Sequence, residues 1–475
     1  MFMAELKGGS LGLFDVMNLV IGAIVGADIY IAASFGAGYL GPASLIAWII
    51  AGVMAIIIAL NFAECSSILP RVGGPYAYVR EAFGDFWGFL TGWSLIIAEW
   101  SAIAVFPLAF VAYLTYFYHD MPQSIQIVVK VLFVFFLTVI NLLGARKGGQ
   151  LNDILTILKI APIFLFTIIG IAYFIIKPAV LVTHLTPFAP LGFGGLGSAL
   201  ILIFWAYVGF ELVTIPSDDI INPKKTIPLA IGVGMGVITV FYFVTNFVVV
   251  GAVPWMELST SSAPLTLAGY AIIGSVGAII LSVGALFSIS GSDEAGILCS
   301  ARIPYAMAGD GLLPHFFAKV HPKYNTPYVS LIIQSSVTLV AAIFGTISQL
   351  IILSVFTILF CYLLTCLSVF PLRKNLGGGI RIPRIIPVLG IIIIIYMITQ
   401  TALNQIIIGT ILILLGIPVY LNYAPRTQVK TVRRDIEFCT GYCKTCVRAC
   451  CRRLPSQEPF LAHVLWHLRN FVKRI

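Results

Sequence analysis

The hydrophobic pattern of this chain shows neither the strict alternation of strands nor the one-sided stripe of soluble helices. It consists of long runs that are apolar all round, separated by short polar loops. About 20 consecutive apolar residues cross the hydrocarbon core of a bilayer. On that measure the runs at roughly 12–34, 43–63, 86–113, 125–143, 154–176, 197–216, 229–253, 272–298, 328–344, 347–371, 385–402 and 405–423 predict about twelve transmembrane helices. The expected fold is an all-α polytopic membrane protein.

Two of these runs are interrupted near the middle. One reads Gly22-Ala23-Ile24-Val25-Gly26-Ala27-Asp28 and the other Phe204-Trp205-Ala206-Tyr207-Val208-Gly209-Phe210-Glu211. Helix-poor residues and an acid at membrane depth are costly, so they point to backbone left open to hold something. A matched pair of interrupted spans, one per half, marks a binding site near the midplane. The first five spans and the next five can be laid side by side, each set opening with an interrupted helix. This predicts a 5+5 inverted repeat, about 8–180 and 190–372, with broken helices 1 and 6 and two extra helices at about 385–423. A transmembrane domain is expected over 1–423 and a separate tail over 424–475.

Composition removes whole classes of function. With 60% hydrophobic and 10% charged residues, the chain is excluded from the soluble globular class. The net charge of +9 is a tail property: 424–475 holds eleven Lys/Arg and three Asp/Glu, whereas the first 423 residues hold seventeen and sixteen. A basic tail beside a membrane meets anionic inner-leaflet lipid rather than nucleic acid. With twelve spans and both termini inside, fourteen Lys/Arg from Lys7 to Arg384 face the cytoplasm, against Lys130 and Lys177 outside. That is the positive-inside bias. No cleavable signal is expected, since the N-terminus runs directly into the first broken span. The six histidines are scattered and no acid–histidine constellation sits at the ends of spans, which argues against an enzyme and calls for no cofactor.

Three cytoplasmic loops are more specific. They read Glu64-Cys65-Ser66-Ser67-Ile68-Leu69-Pro70-Arg71-Val72-Gly73-Gly74-Pro75-Tyr76-Ala77-Tyr78, then Asn222-Pro223-Lys224-Lys225-Thr226-Ile227-Pro228, then Ala301-Arg302-Ile303-Pro304-Tyr305-Ala306-Met307-Ala308-Gly309-Asp310-Gly311-Leu312-Leu313-Pro314. In order and spacing they resemble the loop motifs of the amino acid–polyamine–organocation permease superfamily, over about 8–423. The resemblance implies the leucine-transporter fold, a substrate pocket between broken helices 1 and 6, and alternating access. It also makes the loop residues Glu64, Arg71, Arg80, Lys224, Lys225, Arg302 and Asp310 gate and loop architecture rather than substrate contacts.

At the first break, unpaired amides at Gly26, Ala27 and Asp28, beside Ile24, suit an anion such as a carboxylate. Gly22 and Gly26 let the backbone depart from helix; packing of small residues between helices is the bland alternative. Where the family reads G-x-x-x-G-S-G-I-F, this chain has Gly22-x-x-x-Gly26-Ala27-Asp28-Ile29-Tyr30. Asp28 has three readings: a hydrogen-bond acceptor for a neighbouring helix, a partner for a substrate ammonium or a proton, or a wall of a watery vestibule. A free carboxylate there would repel a substrate carboxylate by a few kcal/mol at ~4–5 Å. Asp28 therefore points away, or is protonated, or the substrate is an amine without a carboxylate.

At the second break, unwinding over Phe204–Val208, including Ala206, frees carbonyls that suit an ammonium, with those of Trp205 and Val208 as the acceptors. By resemblance Trp205 is the aromatic that closes over substrate and Glu211 the acid of G-x-E. Lys159 in the fifth span either snorkels to the edge or faces the bundle. Some sodium-independent relatives carry a lysine there that stands in for a sodium ion, placing it against the Gly22 and Val25 carbonyls and the Ser288 hydroxyl. A lysine held out of water can lose and regain its charge, which favours proton over sodium coupling. Glu99 is a further deep acid, able to pair with Lys159 or a cationic substrate, or to hydrogen-bond locally. Asp293 and Glu294 receive no role beyond a vestibule or a pair with Arg302.

In the tail, Cys439, Cys443, Cys446 and Cys450 fall on one helix face; lipid attachment or membrane packing is set against metal binding. A basic amphipathic helix beyond Pro459 is expected to rest on the inner leaflet.

The combined reading is a secondary active transporter in the plasma membrane. It moves an amino acid or related amine by alternating access, coupled to protons and independent of sodium. The alternatives are an amine or polyamine carrier, an amino acid exchanger, and a transporter-like membrane sensor.

Overall fold

The computed structural model describes residues 11–118, 120–215, 217 and 220–424. The tail, with its Cys439, Cys443, Cys446 and Cys450 set and its amphipathic helix, lies outside the described residues. Within them the chain is a bundle of helices: α1 (Leu13–Ile24), α2 (Ala27–Leu40), α3 (Ser44–Ile68), α4 (Pro75–Phe83), α5 (Asp85–Ile103), α6 (Val105–Leu114), α7 (Gln123–Leu142), α8 (Ala145–Ile176), α9 (Pro178–Leu185) and α10 (Leu196–Phe204). There follow α11 (Pro223–Ala252), α12 (Trp255–Thr260), α13 (Pro264–Ile273), α14 (Ser275–Ser300), α15 (Arg302–Gly309), α16 (Tyr328–Phe344), α17 (Ile347–Asn375), α18 (Ile385–Gln400), α19 (Leu403–Leu414) and α20 (Gly416–Tyr423). The only β pairing among the described residues is an isolated parallel bridge, Leu11 to Ile220.

Nine helical stretches among the described residues are long and apolar enough to cross a membrane, and four shorter apolar helices (α1, α13, α16, α18) accompany them. Their outer faces are the reverse of a soluble protein's. Leu403, Ile407 and Ile411 of α19, with Leu415 at its C-terminal cap, fall four residues apart and are between 50% and 71% exposed. That much apolar surface requires lipid as its solvent. Helices α10 and α17 are mostly buried, while α7 and α19–α20 are mostly exposed, so the former pair lies inward. Pairs α3 with α11, α8 with α14 and α5 with α17 form the main internal contacts.

Local chemistry sets the helix ends. Proline stands at the start of α4, α9, α11 and α13, where its missing N–H is not needed. Thr346 and Gln349 close a reciprocal cap on α17. The short helices α4, α9, α12, α13 and α15 fall outside the apolar runs read from sequence, because a search for spans of membrane length passes over helices this short.

The loop motifs are structural ties. Arg373 of α17 clasps the Glu64 carboxylate of α3, and Ile380 N donates to Ser67 Oγ at 2.9 Å. Arg80 bridges Asp85 and Asp310 at 2.5 Å each, and Tyr76 Oη donates to Asp310 at 2.7 Å. Burial is the largest single influence and works against the Arg80 charge, but Asp85, Tyr76 and Asp310 together outweigh it and hold the guanidinium above the ordinary arginine range. Lys130 lies within α7 and donates to Ala342 O at 2.9 Å, near the C-terminal end of α16.

Candidate functional site

The helix that begins at Leu13 stops at Ile24. Val25 turns to an extended conformation (ψ 99°), Gly26 follows, and α2 starts at Ala27. Gly26 has no space for a side chain: a Cβ there would lie 2.7 Å from Ser292 Oγ and 2.9 Å from Asp28 Oδ1. A helix end strands carbonyl oxygens. Here three carbonyls around the break find side-chain donors on two other helices, α8 and α14. Lys159 Nζ of α8 donates to Gly22 O at 2.6 Å. Tyr242 Oη of α11 lies 3.0 Å from Ile24 O. From α14, Ser292 Oγ reaches Val25 O at 3.0 Å and Ser288 Oγ reaches Gly26 O at 3.3 Å. The Gly26 N–H, which an unbroken helix would aim at Gly22 O, donates to Asp28 Oδ1 at 2.7 Å.

Lys159 is fully buried and does not snorkel. Its second partner is Ser292 Oγ at 3.2 Å, not the Ser288 hydroxyl, which is taken by Gly26 O. Ser292 escaped the sequence reading although it lies one turn beyond Ser288 on the same face. Asp28 is buried as well, and Tyr242 Oη lies 2.5 Å from its Oδ2. The tyrosine is 214 positions away in sequence, and no local pattern announces it.

The second interruption starts later than its sequence suggests. Helix α10 continues as a tighter 3-10 turn over Trp205–Tyr207, and Val208 N donates to Trp205 O at 3.1 Å. The Trp205 carbonyl is thus engaged in the turn rather than released at Phe204, because i to i+3 bonding holds the chain helical through Tyr207. The chain leaves helix at Val208 (ψ 148°) and Gly209 (φ +122°), a left-handed angle that favours glycine. Glu211 Oε2 then accepts from Gly209 N at 3.1 Å and from Tyr362 Oη of α17 at 2.6 Å. Glu99 of α5 does not meet Lys159; it lines the same cavity as Glu211.

Between the two interruptions lies a cavity of about 50 Å³, room for a few water molecules. Its wall includes Ile24, Asp28, Trp205, Val208, Glu99 and Glu211, together with Ala23, Gly209 and Ser292. Phe106 packs beside Trp205 with ring centres 6.2 Å apart. Gly26, Ala27, Phe204, Ala206 and Lys159 do not line the cavity. Among the described residues the wall carries three carboxyl groups and no cationic side chain. Both Asp293 oxygens lack a hydrogen-bond partner among the described residues, so an Asp293–Arg302 pair is not formed.

Comparison with known proteins agrees with this architecture. A family model described as "Amino acid permease" matches residues 11–424. The branched-chain amino acid permease BcaP of Bacillus subtilis (strain 168) is 28% identical over 440 residues, covering 87% of this chain and 92% of the relative. The methylthioribose transporter of the same organism is 31% identical over 408 residues, 81% of this chain and 86% of the relative. Its serine/threonine exchanger SteT is 28% identical over 436 residues, 88% and 97%. The chain therefore belongs to the amino acid permease family, within the amino acid–polyamine–organocation superfamily, and is a multi-pass membrane permease rather than an enzyme.

Proposed function

We propose that this permease is a secondary active transporter that moves amino acids, or amines related to them, across the plasma membrane by alternating access, coupled to protons and independent of sodium. The observation that carries the reading is the Lys159 ammonium seated on the Gly22 carbonyl at the first interruption. One protein charge there ties α1 to α8 and, through Ser292, to α14. Loss and return of that charge would change how firmly the three helices are held, which biases one state of the carrier over another. Trp205 acts as the gate over the cavity, and Glu99 and Glu211, which line it, are a second place to hold a proton.

The wider reading follows the same lines. Twelve spans form two inverted repeats of five, about 8–180 and 190–372, with broken helices 1 and 6 and two added helices, and both termini lie in the cytoplasm. The tail from 424 rests on anionic lipid. Cargo is less constrained by kinship: the relatives' names cover branched-chain amino acids, serine and threonine, and methylthioribose.

Flux into proteoliposomes under imposed gradients tests the proposal, with labelled amino acids and amines supplied together. Accumulation driven by an inward proton gradient without sodium is expected. Accumulation driven by sodium alone, at equal pH on both sides, would contradict it.

A further inference from the structure

We infer that the cargo bound in this cavity is an organic ammonium ion without a carboxylate, because the chain's own Asp28 carboxylate fills the seat that a cargo carboxylate would take. The inference rests on the transporter reading above and narrows its substrate class.

The N-terminal end of α2, a helix of 14 residues, is where an anion would be favoured beside the cavity. That place is occupied. Asp28 Oδ1 takes the Gly26 N–H at 2.7 Å, and Tyr242 Oη meets Oδ2 at 2.5 Å. With a donor at each oxygen, Asp28 is an internal ligand rather than a group waiting for one. It also forms part of the wall, so an incoming carboxylate would lie against it.

The rest of the cavity is equally unsuited to an anion. Glu99 and Glu211 add two more carboxyl groups to the wall. Glu211 Oε1 is buried and meets no hydrogen-bond donor among the described residues. The neighbouring ammonium, Lys159, does not line the cavity; it donates to Gly22 O and Ser292 Oγ. A cation finds the opposite: carboxyl oxygens, and the neighbouring aromatic rings of Trp205 and Phe106. A protonated amine can donate to these carboxyl groups while its hydrocarbon part lies on the rings.

The test uses pairs that differ only by the carboxylate: putrescine and ornithine, agmatine and arginine, isopentylamine and leucine. Binding is read as a rise in Tm of the purified full chain in detergent, and transport as uptake into proteoliposomes. Each amine is expected to act at a concentration at least about tenfold below its carboxylated parent. Asp28→Gly should shrink that ratio by a similar factor, since it reopens the Gly26 amide. Parents that bind as well as or better than their amines overturn the inference while leaving the transporter reading in place. Stabilisation by neither class overturns it as well, as does an unchanged ratio in a folded Asp28→Gly protein. Amine binding without flux supports the inference and removes the transporter reading instead.

Discussion

The two interrupted helices solve one problem in different ways. At the first, three carbonyls around the break are tied sideways to α8 and α14, one of the ties being an ammonium, and Tyr242 of α11 holds Asp28. At the second, the chain stays helical through Tyr207 and breaks at Val208 and Gly209. Its Gly209 amide returns to Glu211 in the same segment, with Tyr362 as the outside support. The first interruption is thus held by its surroundings, and the second is largely self-contained. An element held by other helices reports their movement; one held by itself can move as a unit. This is why coupling is assigned to the first and gating to the second.

Substitutions that unbalance this contrast should have graded effects. The largest is expected from Gly26→Val, which forces a branched side chain to within 2.7 Å of Ser292 Oγ. Overpacking of this kind costs about 1–3 kcal/mol, so uptake should fall by one to two orders of magnitude while membrane insertion, read by protease accessibility, is kept. Next comes Ser292→Ala, which removes the bridge between Lys159 and Val25 O. Loss of a buried hydroxyl costs about 1 kcal/mol or more, giving a roughly five- to tenfold lower initial rate. Ser288→Ala, with its single longer bond to Gly26 O, should cost less in the same assay. Tyr362→Phe at the second interruption leaves Glu211 Oε2 still bonded to Gly209 N, and a reduction of only a few-fold is expected. If Tyr362→Phe proved more damaging than Ser292→Ala, the assignment of roles to the two interruptions would have to be reversed. Deletion of 430–475 should leave the uptake rate within about twofold, since the tail is read as an anchor. Loss of transport on that deletion would favour a signalling role for the tail.

Much of the architecture is legible in the chain because a bilayer demands long apolar runs. The runs at 43–63, 125–143 and 385–402 correspond to α3 (Ser44–Ile68), α7 (Gln123–Leu142) and α18 (Ile385–Gln400) within a few residues. Short helices such as α13 (Pro264–Ile273) are not, since ten residues make no membrane-length signal. Gly26 and Asp28 stand out as residue types out of place in a span. Their partners do not: Tyr242 reads as one more aromatic in an apolar helix, and Ser292 as one more small residue in α14. Position of the second interruption was also hidden. Phe204 through Tyr207 look like the start of unwinding, but the Val208 N–H still finds Trp205 O, and a 3-10 turn has no signature distinct from helix. Contacts between distant parts of the chain decide these details, and pattern within one span carries no information about them.

The account depends most on the Lys159 ammonium as the group that links proton to cargo. The pH profile of uptake by Lys159→Ala, measured in proteoliposomes beside the unaltered protein, addresses this most directly. A variant that is folded and still moves cargo slowly down its gradient, but no longer responds to pH or to an imposed proton gradient, is the expected result. A variant whose uptake keeps the same dependence on pH and on the proton gradient would contradict it.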